Sequence, residues 1–94
     1  SHDGRKLLST GYDNTARLWD VATHQMDRVF AGHTWWVWQG VFAPDDRTIA
    51  TAGQDGIVYV WDVATGERRP AFAGHAGPVY AVAFVDGGSR VVSA

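Results

Sequence analysis

The chain has no cysteine, one methionine and three prolines. It also has no apolar run approaching the roughly 18 residues that a membrane-crossing helix needs. Without cysteine, neither a disulfide framework nor a thiolate metal site can form within it. Basic residues are scarce too: eight Lys and Arg against ten Asp and Glu give a formal net charge of −2 with the histidines neutral. Arg5-Lys6 and Arg68-Arg69 are the only adjacent cations, whereas a phosphate-backbone binder needs them clustered. Neither nucleic acid nor a membrane is an expected partner. His2, His24, His33 and His75 lack the short-range pairing of a zinc site. Asp45-Asp46 lacks the further oxygen ligands of a calcium loop. There is no Gly-rich phosphate loop and no nucleophile elbow, so no metal and no cofactor are expected. Position 1 is Ser and no signal peptide follows it; a cytoplasmic location is the expectation.

What the chain does have is 46% apolar residues, five tryptophans among them, and an internal repeat. Trp19-Asp20-Val21-Ala22-Thr23 returns as Trp61-Asp62-Val63-Ala64-Thr65, a period of 42 residues. Phe30-Ala31-Gly32-His33 returns as Phe72-Ala73-Gly74-His75, Gly11 and Asp13 as Gly53 and Asp55, Val37 as Val79, Phe42 as Phe84. Short stretches rich in Val, Ile, Phe, Tyr and Trp alternate with turn clusters, as all-β folds require. Strands are predicted at Arg5–Thr10, Ala16–Trp19, Met26–Phe30, Val37–Phe42, Arg47–Ala52, Ile57–Trp61, Arg68–Phe72, Val79–Phe84 and Ser89–Ala94. Pro44-Asp45-Asp46, Asp86-Gly87-Gly88, Asp13-Asn14 and Asp55-Gly56 supply turn chemistry between them. Gly66 closes the turn after Trp61-Asp62, and its counterpart is His24. The run Ile57-Val58-Tyr59-Val60-Trp61 is apolar on both faces, the pattern of a strand covered from both sides rather than from one.

A period near ~40–45 residues carrying Gly-His and Trp-Asp pairs resembles the WD40 repeat family, in the near-uniform style of bacterial members. The resemblance covers the whole chain and implies an all-β propeller segment built from four-stranded antiparallel blades. Residues 1–31 would be the three outer strands of one blade, 32–73 a complete blade, and 74–94 the two inner strands of a third. A propeller closes with at least ~4 blades, so the expectation is a segment of a longer chain. The remaining blades would come from the same polypeptide, or from self-association if the protein is this short.

Ser9, His33 and Asp55 could be drawn on paper as a nucleophilic triad. Repetition argues against it: His33 has a twin in His75 and Asp55 in Asp13. A catalytic site is needed once, whereas a folding device recurs with every blade. The resemblance implies a buried network of the His, a turn Asp, a hydroxyl three positions before that Asp, and the Trp of the Trp-Asp pair. That places Thr10, Asp13 and Trp19 in one set, whose His would precede the chain, His33, Asp55 and Trp61 in the next, and His75 at the start of a third. In the second set the position three before Asp55 is Ala52, and strand alternation would turn the neighbouring Thr51 to the opposite face. The expectation is a network without its hydroxyl link, with an indole or imidazole nitrogen left to water or a carbonyl.

The feature that breaks the repeat is Trp35-Trp36-Val37-Trp38, where the next repeat reads Gly77-Pro78-Val79-Tyr80. Partners of WD40 proteins are usually recognised on the top face of the propeller. By position, the resemblance puts Trp36, Trp38, Gln54, Pro78, Tyr80 and Tyr12 there, with Trp35 beside them. Trp and Tyr anchor interfaces more than other residues do. The competing expectation is packing: Gly40 stands where the other repeat has Val82, leaving space that an indole could fill. The expected function is a protein–protein interaction scaffold that binds a protein or peptide and is not an enzyme. The alternatives are a propeller-based hydrolase or oxidoreductase with its site elsewhere, or a glycan or small-molecule binder.

Overall fold

The computed structural model describes residues 1–72, 77–85 and 90–94. Through them run the strands β1 Lys6–Thr10, β2 Thr15–Asp20, β3 Met26–Ala31, β4 Val37–Phe42, β5 Thr48–Gly53, β6 Val58–Asp62, β7 Arg68–Phe72, β8 Val82–Val85 and β9 Arg90–Ser93. They form three antiparallel sheets in sequence order: β1-β2-β3, β4-β5-β6-β7 and β8-β9. No helix long and apolar enough to cross a membrane occurs among the described residues. His75 and the Asp86-Gly87-Gly88 turn lie outside them, as does Ser89.

The turns form where the sequence permits left-handed backbone. Asn14 and Gly56, at φ 69° and 79°, turn β1 into β2 and β5 into β6. His24 and Gly66, at φ 61° and 76°, do the same after each Trp-Asp pair. The Asp of that pair has a local task. Asp20 Oδ1 accepts the Thr23 amide at 3.0 Å, and Asp62 Oδ1 accepts those of Ala64 and Thr65 at 2.9 and 3.0 Å. Each carboxylate thus fixes the turn that follows it, and these amide bonds hold both groups below the ordinary carboxylate range.

The eighth strand is shorter than the predicted Val79–Phe84. The Val79 amide donates instead to Gly53 of the preceding sheet at 2.9 Å, and those of Tyr80 and Ala81 both reach Ala94 O. The Val82 amide donates to the side-chain oxygen of Gln39 at 2.8 Å, so the polar residue of β4 is spent on joining two sheets.

The middle sheet is covered on both faces, as the apolar run in β6 requires. On one side Ile49, Tyr59 and Trp61 meet Ala16, Leu18 and Phe30 of the first sheet. On the other, Ala50, Ala52 and Val58 meet Val79 and Val82. Register explains the division: Ile49 opposes Trp61 and Thr51 opposes Tyr59, while Ala50 opposes Val60 and Ala52 opposes Val58. Directly opposed residues share a face.

Gly40 fits this stack for a different reason from the expected one. A Cβ there would meet Leu8 Cδ2 at 2.7 Å and Thr10 Cγ2 at 3.2 Å. The space beside Gly40 is therefore filled by the first sheet, not by an indole. At the outer edge of the same joint, the Arg28 guanidinium of β3 donates to Ala64 O and Thr65 O at 2.8 and 3.1 Å.

Candidate functional site

Two groups of residues stand out, one buried and one exposed. The buried group lies in the middle sheet and is held by the Gly32-His33 turn, β5 and β6. Trp61 Nε1–H donates to Thr51 Oγ1 at 2.9 Å, and Thr51 Oγ1 lies 2.6 Å from His33 Nε2. His33 Nδ1 lies 3.0 and 3.1 Å from the two Asp55 carboxylate oxygens. One proton arrangement satisfies every group: Thr51 O–H donates to Nε2, and Nδ1–H donates to Asp55. Asp55 also accepts the amides of Thr34 and Ile57 at 2.9 and 3.2 Å.

This corrects the sequence reading. The hydroxyl is present, and Thr51 supplies it from four positions before Asp55 rather than three. The register places Thr51 on the face of Tyr59 and Trp61, while Ala52 faces the opposite core. No buried side-chain nitrogen or oxygen lacks a partner among the described residues, so neither the indole nor the imidazole is left to water.

The first sheet is corrected in the same sense. Trp19 Nε1 donates to Ser9 Oγ at 2.8 Å, so Ser9 takes the place assigned to Thr10. Thr10 pairs with Ala16 on the opposite face and leans toward Gly40. Asp13 is exposed and accepts from Thr15 N and Oγ1 at 3.1 and 2.7 Å and from Arg17 Nη2 at 2.6 Å. The Thr15 bonds, aided by the Arg17 charge, hold its carboxyl below the usual range.

A hydroxyl, an imidazole and a carboxylate in series are the parts of an activated nucleophile. Here the hydroxyl is unavailable. Thr51 is fully buried, and its oxygen already accepts the Trp61 indole. Burial also pushes His33 below its ordinary value, against the pull of the Asp55 carboxylate. The relay therefore rests as a neutral imidazole between two satisfied partners. Its work is to lock a loop and a hairpin together. The paper triad is not assembled either, since Ser9 belongs to the first sheet and serves Trp19.

The exposed group is aromatic. Trp35, Trp36, Trp38, Tyr12 and Tyr80 come together from three connections, each brought in by a backbone bond between neighbouring segments. Val37 N donates to Gly11 O at 3.1 Å, Gln54 N to Trp36 O at 2.8 Å and Val79 N to Gly53 O at 2.9 Å. Ring centroids lie 4.9 Å apart for Tyr12–Trp36, 5.8 Å for Trp36–Trp38, 5.6 Å for Trp38–Tyr80 and 6.1 Å for Trp35–Trp36. Tyr12 also reaches Trp38 at 6.0 Å. The planes are steeply inclined, the preferred geometry for rings whose edges are positive and faces negative.

Three of these residues are more than half exposed, Tyr12 at 71%, Tyr80 at 59% and Trp35 at 51%, and Trp36 keeps 38% of its surface in solvent. Trp38 is half-buried at the centre, and its Nε1–H donates to Gln54 Oε1 at 2.8 Å. Gln54 is thus the clamp for the central indole. Pro78 is half-buried and leads into the buried Val79. Among the described residues no group of three potential metal ligands occurs.

Stacked antiparallel sheets that repeat the Trp-Asp turn, with a Thr–His–Asp relay in the middle one, define the propeller-blade class of protein. The match to known families agrees: the WD40 family, described as WD domain, G-beta repeat, matches residues 1–20, 25–62 and 66–94. The chain belongs to the WD40 family. No curated protein matches it as a relative. WD40 repeats are generally protein-interaction scaffolds, typically non-catalytic, that bind proteins or peptides.

Proposed function

We propose that this chain serves as an interaction scaffold whose partner, a protein or peptide, binds on the aromatic surface of Tyr12, Trp35, Trp36, Trp38 and Tyr80, with Gln54 and Pro78 beside it. The observation that carries the reading is exposure. Large apolar side chains left in water in one contiguous group mark interaction surfaces, and four of the five rings are more than a third exposed. Their mutual contacts and the Trp38–Gln54 bond hold the surface in shape before any ligand arrives.

No catalytic role is assigned. Among the described residues the relay resembling a nucleophile is sealed, and Gln39 of β4 is committed to Val82. Further blades would cover the outer face of the first sheet, where Leu7 is 59% exposed and a hollow of about 330 Å³ is lined by Ser9, Asp13, Arg17 and Trp19.

The test is Trp36→Ala in the full-length protein, read both by partner binding and by thermal melting. Binding should weaken at least about tenfold with the melting temperature nearly unchanged. Unaltered binding would remove the surface from consideration, and a large drop in melting temperature would make Trp36 a packing residue.

A further inference from the structure

We propose that the buried relay is an acid-sensitive latch beneath the aromatic surface: one proton added at His33 breaks its bond to Thr51 and displaces the two connections that carry Trp36, Trp38 and Gln54 relative to Tyr12 and Tyr80. The displacement stands on the relay alone; its meaning for a partner rests on the reading of that surface as the binding site.

The first argument is a count of hydrogens. With a neutral imidazole every group is satisfied. The Trp61 indole donates to Thr51 Oγ1, the Thr51 hydroxyl donates to His33 Nε2, and Nδ1–H donates to Asp55. A second imidazole proton must sit on Nε2, which then faces Thr51 as a donor. Thr51 Oγ1 would receive two hydrogens while its own lost its acceptor. Thr51 is fully buried and has no further side-chain partner among the described residues. A polar hydrogen without an acceptor in a dry interior is unfavourable, so the contact between Nε2 and Thr51 is the one that yields.

The second argument is confinement. The His33 side chain has no solvent exposure. Its ring lies against bare Gly53, where a Cβ would come within 2.5 Å of Nδ1, and edge-on to Tyr59 at 4.8 Å. It has no room to turn in place. Two charges face it. Asp55, from the turn between β5 and β6, favours the imidazolium; Arg68 of β7, whose guanidinium lies 4.9 Å over the Tyr59 ring, disfavours it. Thr51 of β5 and Tyr59 and Trp61 of β6 face it uncharged. Protonation therefore tightens the Asp55 bond as the Thr51 bond fails, and His33 moves with Asp55 as one unit.

The third argument is what that unit carries. Asp55 accepts the Thr34 amide at 2.9 Å, Gln54 N donates to Trp36 O at 2.8 Å, and Gln54 Oε1 accepts the Trp38 indole at 2.8 Å. Tyr12 and Tyr80 belong to neighbouring connections, so the Tyr12–Trp36 and Trp38–Tyr80 ring contacts are the ones that change. Burial outweighs the Asp55 carboxylate and holds His33 below 6.5. The latch is thus closed above that value and opens as the pH falls through the lower folded one.

The experiment is an NMR titration of the full-length protein, isotope-labelled at the tryptophan indole nitrogens and histidine ring carbons, from about pH 8 to about pH 4.5. Trp36→Phe, Trp38→Phe and His33→Asn assign the signals. The result expected is a His33 midpoint below 6.5, with the Trp36, Trp38 and Trp61 indoles moving on the same one-proton curve, the Trp19 indole unmoved, and the far-ultraviolet circular dichroism constant. Trp36 and Trp38 signals that stay still while His33 titrates, or that follow another midpoint, would overturn the latch. So would a His33 that takes up no proton before the fold is lost, or strand signal lost on the His33 curve, which is unfolding. In His33→Asn the Trp36 and Trp38 signals should be flat over the same range, and continued movement also overturns the proposal. If that variant does not fold, the wild-type midpoints decide alone. No partner enters this titration, so a failed latch leaves the binding test of Trp36→Ala to judge the surface separately.

Discussion

The two Trp-Asp repeats share a sequence pattern but sit in different surroundings. In the second, Trp61 is almost wholly buried and its indole ends a chain through Thr51 and His33 to Asp55. In the first, Trp19 is half-buried, its indole meets Ser9 alone, and Asp13 turns outward to Arg17. The imidazole that joins the second set is His33, and the position 42 residues before it precedes Ser1. Within the described residues the second set is complete and buried, and the first shows its Trp–hydroxyl bond beside a hollow lined by Ser9 and Asp13. What the complete set adds is burial, which gives each of its hydrogen bonds more weight than one at a surface has.

The largest effect should come from Thr51→Val. Removing the Thr51 hydroxyl strands an indole N–H and an imidazole nitrogen in a dry interior, at a cost of about 3 kcal/mol. A loss under about 1 kcal/mol in urea unfolding would mean that the relay does not lock the loop to the hairpin.

Next come the paired glycines. A Cβ on Gly53 would lie 2.5 Å from His33 Nδ1 and 2.7 Å from Asp55 Oδ1, whereas on Gly11 its nearest contact is Asp13 Oδ1 at 3.9 Å. Gly53→Ala should destabilise by about 2 kcal/mol through overpacking, read by the same measurement. A comparable joint effect, of about 1–2 kcal/mol, is expected for Gly40→Ala, whose Cβ would press on Leu8.

Acid should separate the repeats more gently. Unfolded His33 takes up a proton near 6.5, but in the fold burial holds its pKa lower. Its contribution is therefore complete above that value and declines as the pH falls through it. Melting between about pH 7 and pH 5 should show this slope, and His33→Asn should flatten it. Asp13 and Asp62 are exposed and Asp20 is half-buried; all three lie below their ordinary 3.8, so what they add persists above 3.8 and fades only in stronger acid. A slope unchanged by His33→Asn would assign the pH dependence to other groups. The smallest effect belongs to Trp36→Ala, within about 0.5 kcal/mol of wild type in stability, since its ring lies at the surface.

Much of the architecture was legible from the repeat. Turn residues with positive φ fall at Asn14, His24, Gly56 and Gly66, and the double-sided apolar run marks the central strand. The buried relay was legible in its ends but not in its middle. Alternation says that Thr51 and Ala52 face opposite ways, but not which of them faces Trp61; that phase is set by the pairing of Thr51 with Tyr59 across the hairpin. Gly40 was opaque for another reason. Its neighbours, Leu8 and Thr10, come from a different sheet, and no local pattern records a contact over that distance. The aromatic surface was legible as an excess of tryptophan. Its division into a clamped Trp38 and exposed neighbours depends on the Gln54 side chain, which only the folded geometry brings to the indole.

The bond from Gln54 N to Trp36 O joins the loop that carries His33 to the hairpin that carries Asp55. The relay below and the rings above are thus two layers of one splice, and ordering the lower layer orders the upper. A ligand of the proposed surface would find it preorganised, with little conformational freedom left to lose on binding. Loosening the splice from beneath should then appear chiefly as weaker affinity through a larger entropic cost of association, even where no residue that touches the ligand has changed.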